Sequence, residues 1–256
     1  IAIGLSLGLI GGGGSILTVP VLVYFFGVSP VLATAYSLFI VGATSLIGVF
    51  PKYKQGFVSL RTTIVFGIPS IIAVFLTRKF LVPAIQENLG IIGSLEISKS
   101  LLVMLLFATL MLAASISMIR SKKTEIKATV SSKKFNYPLI LLEGIVVGIL
   151  TGLVGAGGGF LIIPALVMLG NLPMKKAIWT SLFIIALKSL IGFLGDLTQE
   201  SQIIDWQLLL IVSGLAVIGI FIGNSLSNKI EGKKLKKGFG WFVLIMGVYI
   251  ILKELL

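Results

Sequence analysis

The chain is a series of long apolar runs separated by short polar ones. A helix needs about 20 apolar residues to cross a bilayer, and six runs approach that length, at 30–50, 62–80, 99–119, 174–195, 206–228 and 238–252. Two further apolar segments, 1–27 and 137–170, are interrupted by runs of glycine. The runs are too continuous for the alternating strands of a membrane barrel. The pattern therefore predicts an all-α integral membrane protein.

The two glycine-containing segments are copies of one motif. "GLIGGGGSILTVP" begins at Gly8 and "GLVGAGGGFLIIP" begins at Gly152, 144 positions later. At the same offset, "SLFIVGATSLIG" from Ser37 falls on "SLFIIALKSLIG" from Ser181. The chain therefore divides into two homologous halves, 1–128 and 129–256, with a polar and basic linker at 120–134. Each half holds one glycine-broken segment followed by three apolar helices.

The composition excludes several classes of function. Charged residues make up 12% of the chain, about half the share found in soluble domains. Cysteine and histidine are absent, which excludes disulfides, thiolate or imidazole metal sites and catalysis by these side chains. Neither an enzyme nor a cofactor is expected. The net charge of +12 lies in loops between apolar runs, which indicates membrane topology and anionic lipid contact rather than nucleic acid.

The distribution of Lys and Arg distinguishes two topologies. If all eight segments cross the membrane, the 20 loop and terminal Lys and Arg residues divide ten and ten. If the two glycine-broken segments are re-entrant hairpins, sixteen lie on one side and four on the other, namely Arg78, Lys79, Lys99 and Lys253. The positive-inside rule favours the second arrangement, with cytoplasmic basic loops and both termini outside. Three crossings per half then make the second half an inverted-topology repeat of the first.

The glycine runs are predicted to form the tips of these hairpins near the middle of the membrane. Backbone that leaves the helix at this depth is tolerated only inside protein or beside a polar cavity. Glycine permits a positive φ, and the following half-helix presents free N–H groups, which are features of an anion site. The alternative is a turn with close helix packing. The candidate residues for anion binding are Gly12, Gly13, Gly14, Ser15, Gly157, Gly158 and Gly159.

A polar stripe follows each glycine motif. Ser37 and Thr44 lie on one helical face in the first half, and Ser181 and Lys188 repeat them in the second, with Thr180 near the same face. Small polar residues of this kind either bind substrate or hold helices together. The stripe therefore adds Ser37, Thr44, Thr180, Ser181 and Lys188 to the candidate site.

Lys188 is predicted to lie near the membrane centre, about 14 residues into its helix. A charge there costs about 3 kcal/mol or more and usually serves function. Glu143, in the entering arm of the second hairpin, is either a proton carrier or an interfacial residue. The two differ in predicted depth by about 12 Å at 1.5 Å per residue, so a direct ion pair between them is not expected.

A duplicated "GLxGxGGGxLxxP" followed by "A..TSL" resembles the sulfite exporter TauE/SafE family of bacterial membrane permeases, over nearly the whole chain. The second copy, "GLVGAGGGFLIIP" with "AIWTSL", is the closer match, whereas the first has Ser15 in place of a glycine and "ATAYSL". The resemblance implies export of small sulfur-containing anions, such as sulfite or the organosulfonate sulfoacetate, across a bacterial cytoplasmic membrane. It also implies coupling to an ion gradient, carried by protons or sodium.

The resulting hypothesis is a secondary transporter. An anion binds between the two glycine tips, held by their N–H groups and by Ser37, Thr180, Ser181 and Lys188, and the two halves rock to expose it alternately. The residues leave open an anion channel, an importer of another small oxyanion, and a structural membrane protein. Lys188 stands where the first repeat has Thr44, which makes it a candidate for tuning the substrate.

Overall fold

The computed structural model describes residues 1–92, 95–120, 137–168, 170, 172–198, 204–227 and 232–255. Within them, eight helical segments are long and apolar enough to cross a membrane: Ala2–Phe26, Pro30–Lys54, Leu60–Ala84, Lys99–Arg120, Tyr137–Val154, Met174–Leu197, Trp206–Leu226 and Lys237–Leu255. The prediction of a mostly helical, multi-pass membrane protein is confirmed. The linker predicted at 120–134 lies outside the described residues except for Arg120.

The first half begins with the glycine-broken segment. It consists of α1 (Ala2–Ile10), a 3-10-helical stretch (Gly11–Leu17) and α2 (Thr18–Phe26), and it is followed by α3 (Pro30–Lys54) and α4 (Leu60–Ala84). Two short strands, β1 (Asn88–Ile92) and β2 (Leu95–Ser98), pair antiparallel before α5 (Lys99–Ile119). The hydropathy pattern did not predict this hairpin, since its strands are too short to stand out beside 20-residue runs.

The second half repeats this order with small differences. It consists of α6 (Tyr137–Val154), α7 (Gly159–Met168), α8 (Met174–Leu197), α9 (Trp206–Ser227) and α10 (Gly232–Leu255). The last helix begins at Gly232 instead of the predicted 238, because the intervening Lys and Leu residues are good helix formers. Similarly, α4 continues to Ala84 instead of the predicted 80, so Arg78 lies well inside the helix and not near its end, where its charge was counted with those of the loops.

The two halves are packed into each other. Helices α3 and α8 form the central pair and α5 packs on α10, while α1 packs on α9 of the other half and α6 packs on α4. The contacts are close: a β-carbon at Gly4 would lie 1.7 Å from the carbonyl oxygen of Ala216, and one at Gly148 would lie 2.6 Å from that of Ser70. Gly4 and Gly148 are equivalent in the two repeats, so Ala216 corresponds to Ser70. Each glycine-broken segment is thus held by the opposite half.

Candidate functional site

The two glycine breaks meet backbone to backbone. A β-carbon at Gly159 would lie 2.0 Å from the carbonyl carbon of Gly12 and 2.2 Å from its oxygen, so no side chain fits at this contact. At the 144-residue offset, Ser15 is the repeat equivalent of Gly159 and Ala156 is that of Gly12. These two residues are also in contact, because the Ser15 hydroxyl donates to the Ala156 carbonyl. The same hydroxyl lies 2.8 Å from the Gly12 carbonyl oxygen. The motifs quoted from the sequence are therefore direct neighbours across the two halves.

Glycine is required at both breaks by the backbone conformation. Gly11 and Gly155, equivalent in the two repeats, both have a φ of 70°, where other residues are strained. After the first break the chain lies back against α1, because a β-carbon at Gly14 would be 2.4 Å from the Leu7 amide nitrogen. Two residues seven apart in a continuous helix would be separated by about 10.5 Å. The residues after the break therefore run alongside the helix before it.

Lys188 lies at the second break. Its side chain is fully buried, and its ammonium donates to the Thr151 hydroxyl at 2.9 Å. A β-carbon at Gly158, whose φ is 73°, would lie 3.0 Å from Lys188 Nζ. Among the described residues, no acidic side chain pairs with this ammonium. A positive charge without an acidic partner thus lies against the glycine backbone, just before α7 begins.

Two of the predicted serines face the breaks of the opposite half. The Ser37 hydroxyl donates to the Gly155 carbonyl at 2.6 Å. Ser181 Oγ would lie 3.6 Å from a β-carbon at Gly12 and donates to the Ile178 carbonyl at 2.8 Å. In this conformation the hydroxyl of Ser37 satisfies a carbonyl that the break releases from helical hydrogen bonding.

Other predicted residues are less closely involved with the breaks. Thr180 accepts a hydrogen bond from the Ser59 amide at 3.0 Å, and this contact joins α8 to the start of α4. Thr44 is fully buried, and its hydroxyl has no hydrogen-bond partner among the described residues. Gly13 contacts Ile10 of its own segment, where a β-carbon would lie 3.2 Å from the side chain. No described contact joins Thr180 or Thr44 to the contact between the breaks.

Glu143 is not joined to Lys188. It precedes Thr151 by eight residues on α6, about 12 Å along the helix, and no ion pair links it to Lys188 among the described residues. One of its carboxylate oxygens is buried without a hydrogen-bond partner among those residues. Its position does not connect it to the glycine breaks by any described contact.

Sequence reasoning missed two features. Thr151 was not among the predicted site residues. Its equivalent in the first repeat is Leu7, and the equivalent of Lys188 is Thr44. The two repeats therefore differ at both members of the Thr151–Lys188 pair, and this shared difference could have indicated that the two residues interact. The second feature is an ion pair between Arg78 and Asp196, 3.4 Å apart, with both side chains fully buried. Arg78 lies near the end of the predicted helix 62–80 and was counted with the loop and terminal charges, so no buried partner was predicted for it.

Comparison with known proteins finds relatives over nearly the whole chain. The chain is 31% identical over 255 residues to a "Probable membrane transporter protein" of Xylella fastidiosa (strain 9a5c), covering 97% of this chain and 91% of that protein. It is 28% identical to "Probable membrane transporter protein YunE" of Bacillus subtilis, covering 95% and 89%. A third relative, from Methanocaldococcus jannaschii, is 26% identical, covering 98% and 94%. No solved structure matches the chain.

The relatives named above are all described as membrane transporters. The family described as "Sulfite exporter TauE/SafE" matches residues 1–250. The chain therefore belongs to the TauE/SafE sulfite exporter family, whose members are membrane transporters and not enzymes.

Proposed function

We propose that this protein is a secondary transporter that exports sulfite or a small organosulfonate, such as sulfoacetate, across a bacterial cytoplasmic membrane. The observation that carries the proposal is the buried ammonium of Lys188 beside Gly158. A cation inside a membrane protein is costly and is most often retained for function. Because no acidic partner for it is found among the described residues, a bound anion is the natural source of compensating charge.

The proposed site combines this ammonium with the start of α7. Helix N-termini present backbone N–H groups and the positive end of the helix dipole, which together favour oxyanions. Gly158 directly precedes α7 and adjoins Lys188. The oxygens of a sulfite or sulfonate group would accept from Lys188 Nζ and from these amides. Ser15 and Ser37, which now donate to carbonyls of the second break, supply further donors when the two breaks separate.

We also propose that the halves form an inverted repeat with re-entrant glycine hairpins. The supporting observations are the equivalent packing of α1 on α9 and of α6 on α4, and the return of Gly14 alongside α1. With Arg78 buried, the less basic side keeps only Lys79, Lys99 and Lys253 among the loop and terminal residues that the charge count placed there. An odd number of crossings per half gives opposite orientations and places the substrate where the repeats meet.

Unequal packing at equivalent positions supports alternating access. At the end of α8, Gly195 packs tightly on α4, since a β-carbon would lie 3.2 Å from the Phe75 carbonyl oxygen. The equivalent residues at the end of α3 and on α9 are Pro51 and Phe221, which line a groove instead, and Phe221 is 49% exposed. The packing at this pair of equivalent positions thus differs between the two halves. Exchange of these two arrangements would expose the anion to opposite sides in turn.

Glu143 is proposed to carry the coupling proton. It is an ionisable residue in α6, the helix that also positions Thr151, and residues of this kind inside membranes commonly relay protons. Replacement by Gln should leave anion binding intact and abolish the dependence of transport on a pH gradient. If Glu143→Gln transport still follows the pH gradient, the proton does not travel through this carboxylate.

The experiment is a flux measurement in proteoliposomes with radiolabelled sulfite and sulfoacetate. The parent protein is compared with Lys188→Ala and Gly158→Leu, and with Gly214→Leu as the control, because a β-carbon at Gly214 would meet no atom of another described segment within 4 Å. We expect flux to be lost in the first two variants and kept in the control. Unchanged flux in both site variants would exclude the assignment. Electrical currents far above carrier turnover would indicate a channel, and transport of phosphate or carboxylates alone would indicate another substrate.

A further inference from the structure

A buried ion pair joins the two halves away from the glycine breaks. Arg78 lies in a π-helical stretch of α4 (Thr77–Leu81), and Asp196 is the penultimate residue of α8. Asp196 Oδ1 accepts from the Arg78 guanidinium at 3.4 Å, and both side chains are fully buried. The other carboxylate oxygen of Asp196 has no hydrogen-bond partner among the described residues. Gly195 makes this approach possible, because a β-carbon there would lie 3.0 Å from the Arg78 β-carbon.

The repeat architecture does not need this ion pair. From the equivalence of Ser70 and Ala216, the counterpart of Arg78 is Asn224, and the counterpart of Asp196 is Lys52. An amide and an ammonium cannot form an ion pair, and Lys52 lies over the Trp179 ring instead, 5.6 Å from its centroid. Replacing a buried ion pair by apolar residues is often neutral or stabilising. Stability alone therefore gives no reason for a buried guanidinium at this place.

The position of Arg78 relates it to the proposed anion site. Lys188 and Asp196 lie on the same helix, eight residues or about 12 Å apart along its axis. An anion that leaves Lys188 towards this end of α8 would approach the guanidinium next. Arginine presents a planar fork of N–H donors that matches oxyanions, and the Asp196 carboxylate now fills that place. A carboxylate near a helix C-terminus is disfavoured by the helix dipole, so the dipole of α8 favours release of Asp196 from the pair.

We infer that Arg78 is a second binding site for the transported oxyanion, occupied by the Asp196 carboxylate when no anion is there. The inference rests on the proposed function and extends it. The sulfite or sulfonate group displaces the carboxylate from the guanidinium, so that the buried charge is compensated both before and after the exchange. Asp196 then turns towards the end of α8, which lies one residue further on at Leu197. When the anion leaves, the carboxylate returns and closes this end of the molecule.

The test is the affinity of purified full-length protein for sulfite, measured by calorimetry. Asp196→Asn removes the competing carboxylate, and we expect it to bind sulfite at least fivefold more tightly than the parent. Asp205→Asn is the matched control because it removes a carboxylate that is exposed near the start of α9; its affinity should match that of the parent. The double variant Arg78→Gln/Asp196→Asn leaves no unpaired charge at these two positions, and it should lose the gain in affinity and at least tenfold in sulfite flux.

The outcomes separate this inference from the function on which it rests. Unchanged or weaker sulfite binding by Asp196→Asn, with normal binding by the parent, would show that the pair is structural and would leave the proposed function intact. If Asp196→Asn does not fold, the flux of the double variant decides, because flux equal to that of the parent overturns the inference. Absence of sulfite and sulfonate binding by the parent would instead reject the proposed function.

Discussion

The contact between Gly12 and Gly159 makes a single methyl group a severe perturbation. In Gly159→Ala the new β-carbon would lie 2.0 Å from the Gly12 carbonyl carbon, where ordinary van der Waals contact begins at 3.4 Å. The neighbour is backbone, so no side-chain rotation relieves the clash. The two breaks must therefore move apart by more than 1 Å. Overpacking of this kind costs about 1–3 kcal/mol.

The same substitution at Gly214 provides the comparison. Gly214 lies inside α9, and among the residues that the structure describes no atom of another segment would lie within 4 Å of a β-carbon there. Glycine in a helix interior is less favourable than alanine by about 0.5–1 kcal/mol, so Gly214→Ala should raise the free energy of unfolding slightly. Both variants add one methyl group, but Gly159→Ala should lower the free energy of unfolding and Gly214→Ala should raise it.

The assay is thermal unfolding in detergent, followed by tryptophan fluorescence, together with sulfite flux in proteoliposomes. Gly159→Ala should unfold at a lower temperature than the parent and transport little, because it cannot return to the closed contact between the breaks. Gly214→Ala should match or exceed the parent in stability and retain flux. A Gly159→Ala protein as stable and active as Gly214→Ala would refute the backbone contact.

Three further substitutions probe the remaining contacts. Thr151→Val removes the acceptor of the Lys188 ammonium, and the variant should lose about 1.5–3 kcal/mol of stability in thermal unfolding. If Thr151→Val costs the same amount in a Lys188→Met protein, the loss does not come from this hydrogen bond. Ser37→Ala leaves the Gly155 carbonyl without its hydroxyl donor and should cost about 1–3 kcal/mol; an unchanged unfolding temperature would contradict it. Gly148→Leu should prevent α6 from docking on α4, so size-exclusion chromatography should show little monodisperse protein, and a normal profile would be evidence against this interface.

The membrane-spanning helices were predictable because lipid imposes a simple rule. Backbone groups inside a bilayer must bond within their own segment, so long apolar runs become helices. The rule fails where a distant residue changes the cost of a charge. Arg78 lies two residues before the predicted end of an apolar run at 80, yet α4 continues to Ala84, and Asp196 from the other half accepts from the buried Arg78 guanidinium. Local hydropathy contains no information about that partner.

The candidate site was predictable as far as the two repeats resemble each other. The duplicated motif selected Gly12, Ser15 and Gly159, which lie at the contact between the breaks. Thr180 was selected with them because it is adjacent to the polar stripe, but it binds the Ser59 amide. A shift of one residue turns a side chain by about 100° around a helix, which is enough to direct it to a different neighbour. The spacing of the stripe therefore predicts the helix face better than it predicts each contact.

The packing of each broken segment on the opposite half sets an order for folding during synthesis. When α6 emerges, its partner α4 is already in the membrane, so the second segment can dock at once. The partner of α1 is α9, which is made about 200 residues later. At about 5–20 residues per second, α1 waits on the order of 10–40 s with its glycine face uncovered. Of the two glycine-broken segments, the N-terminal one is thus the later to lock in place, and a chain interrupted before residue 206 never completes it.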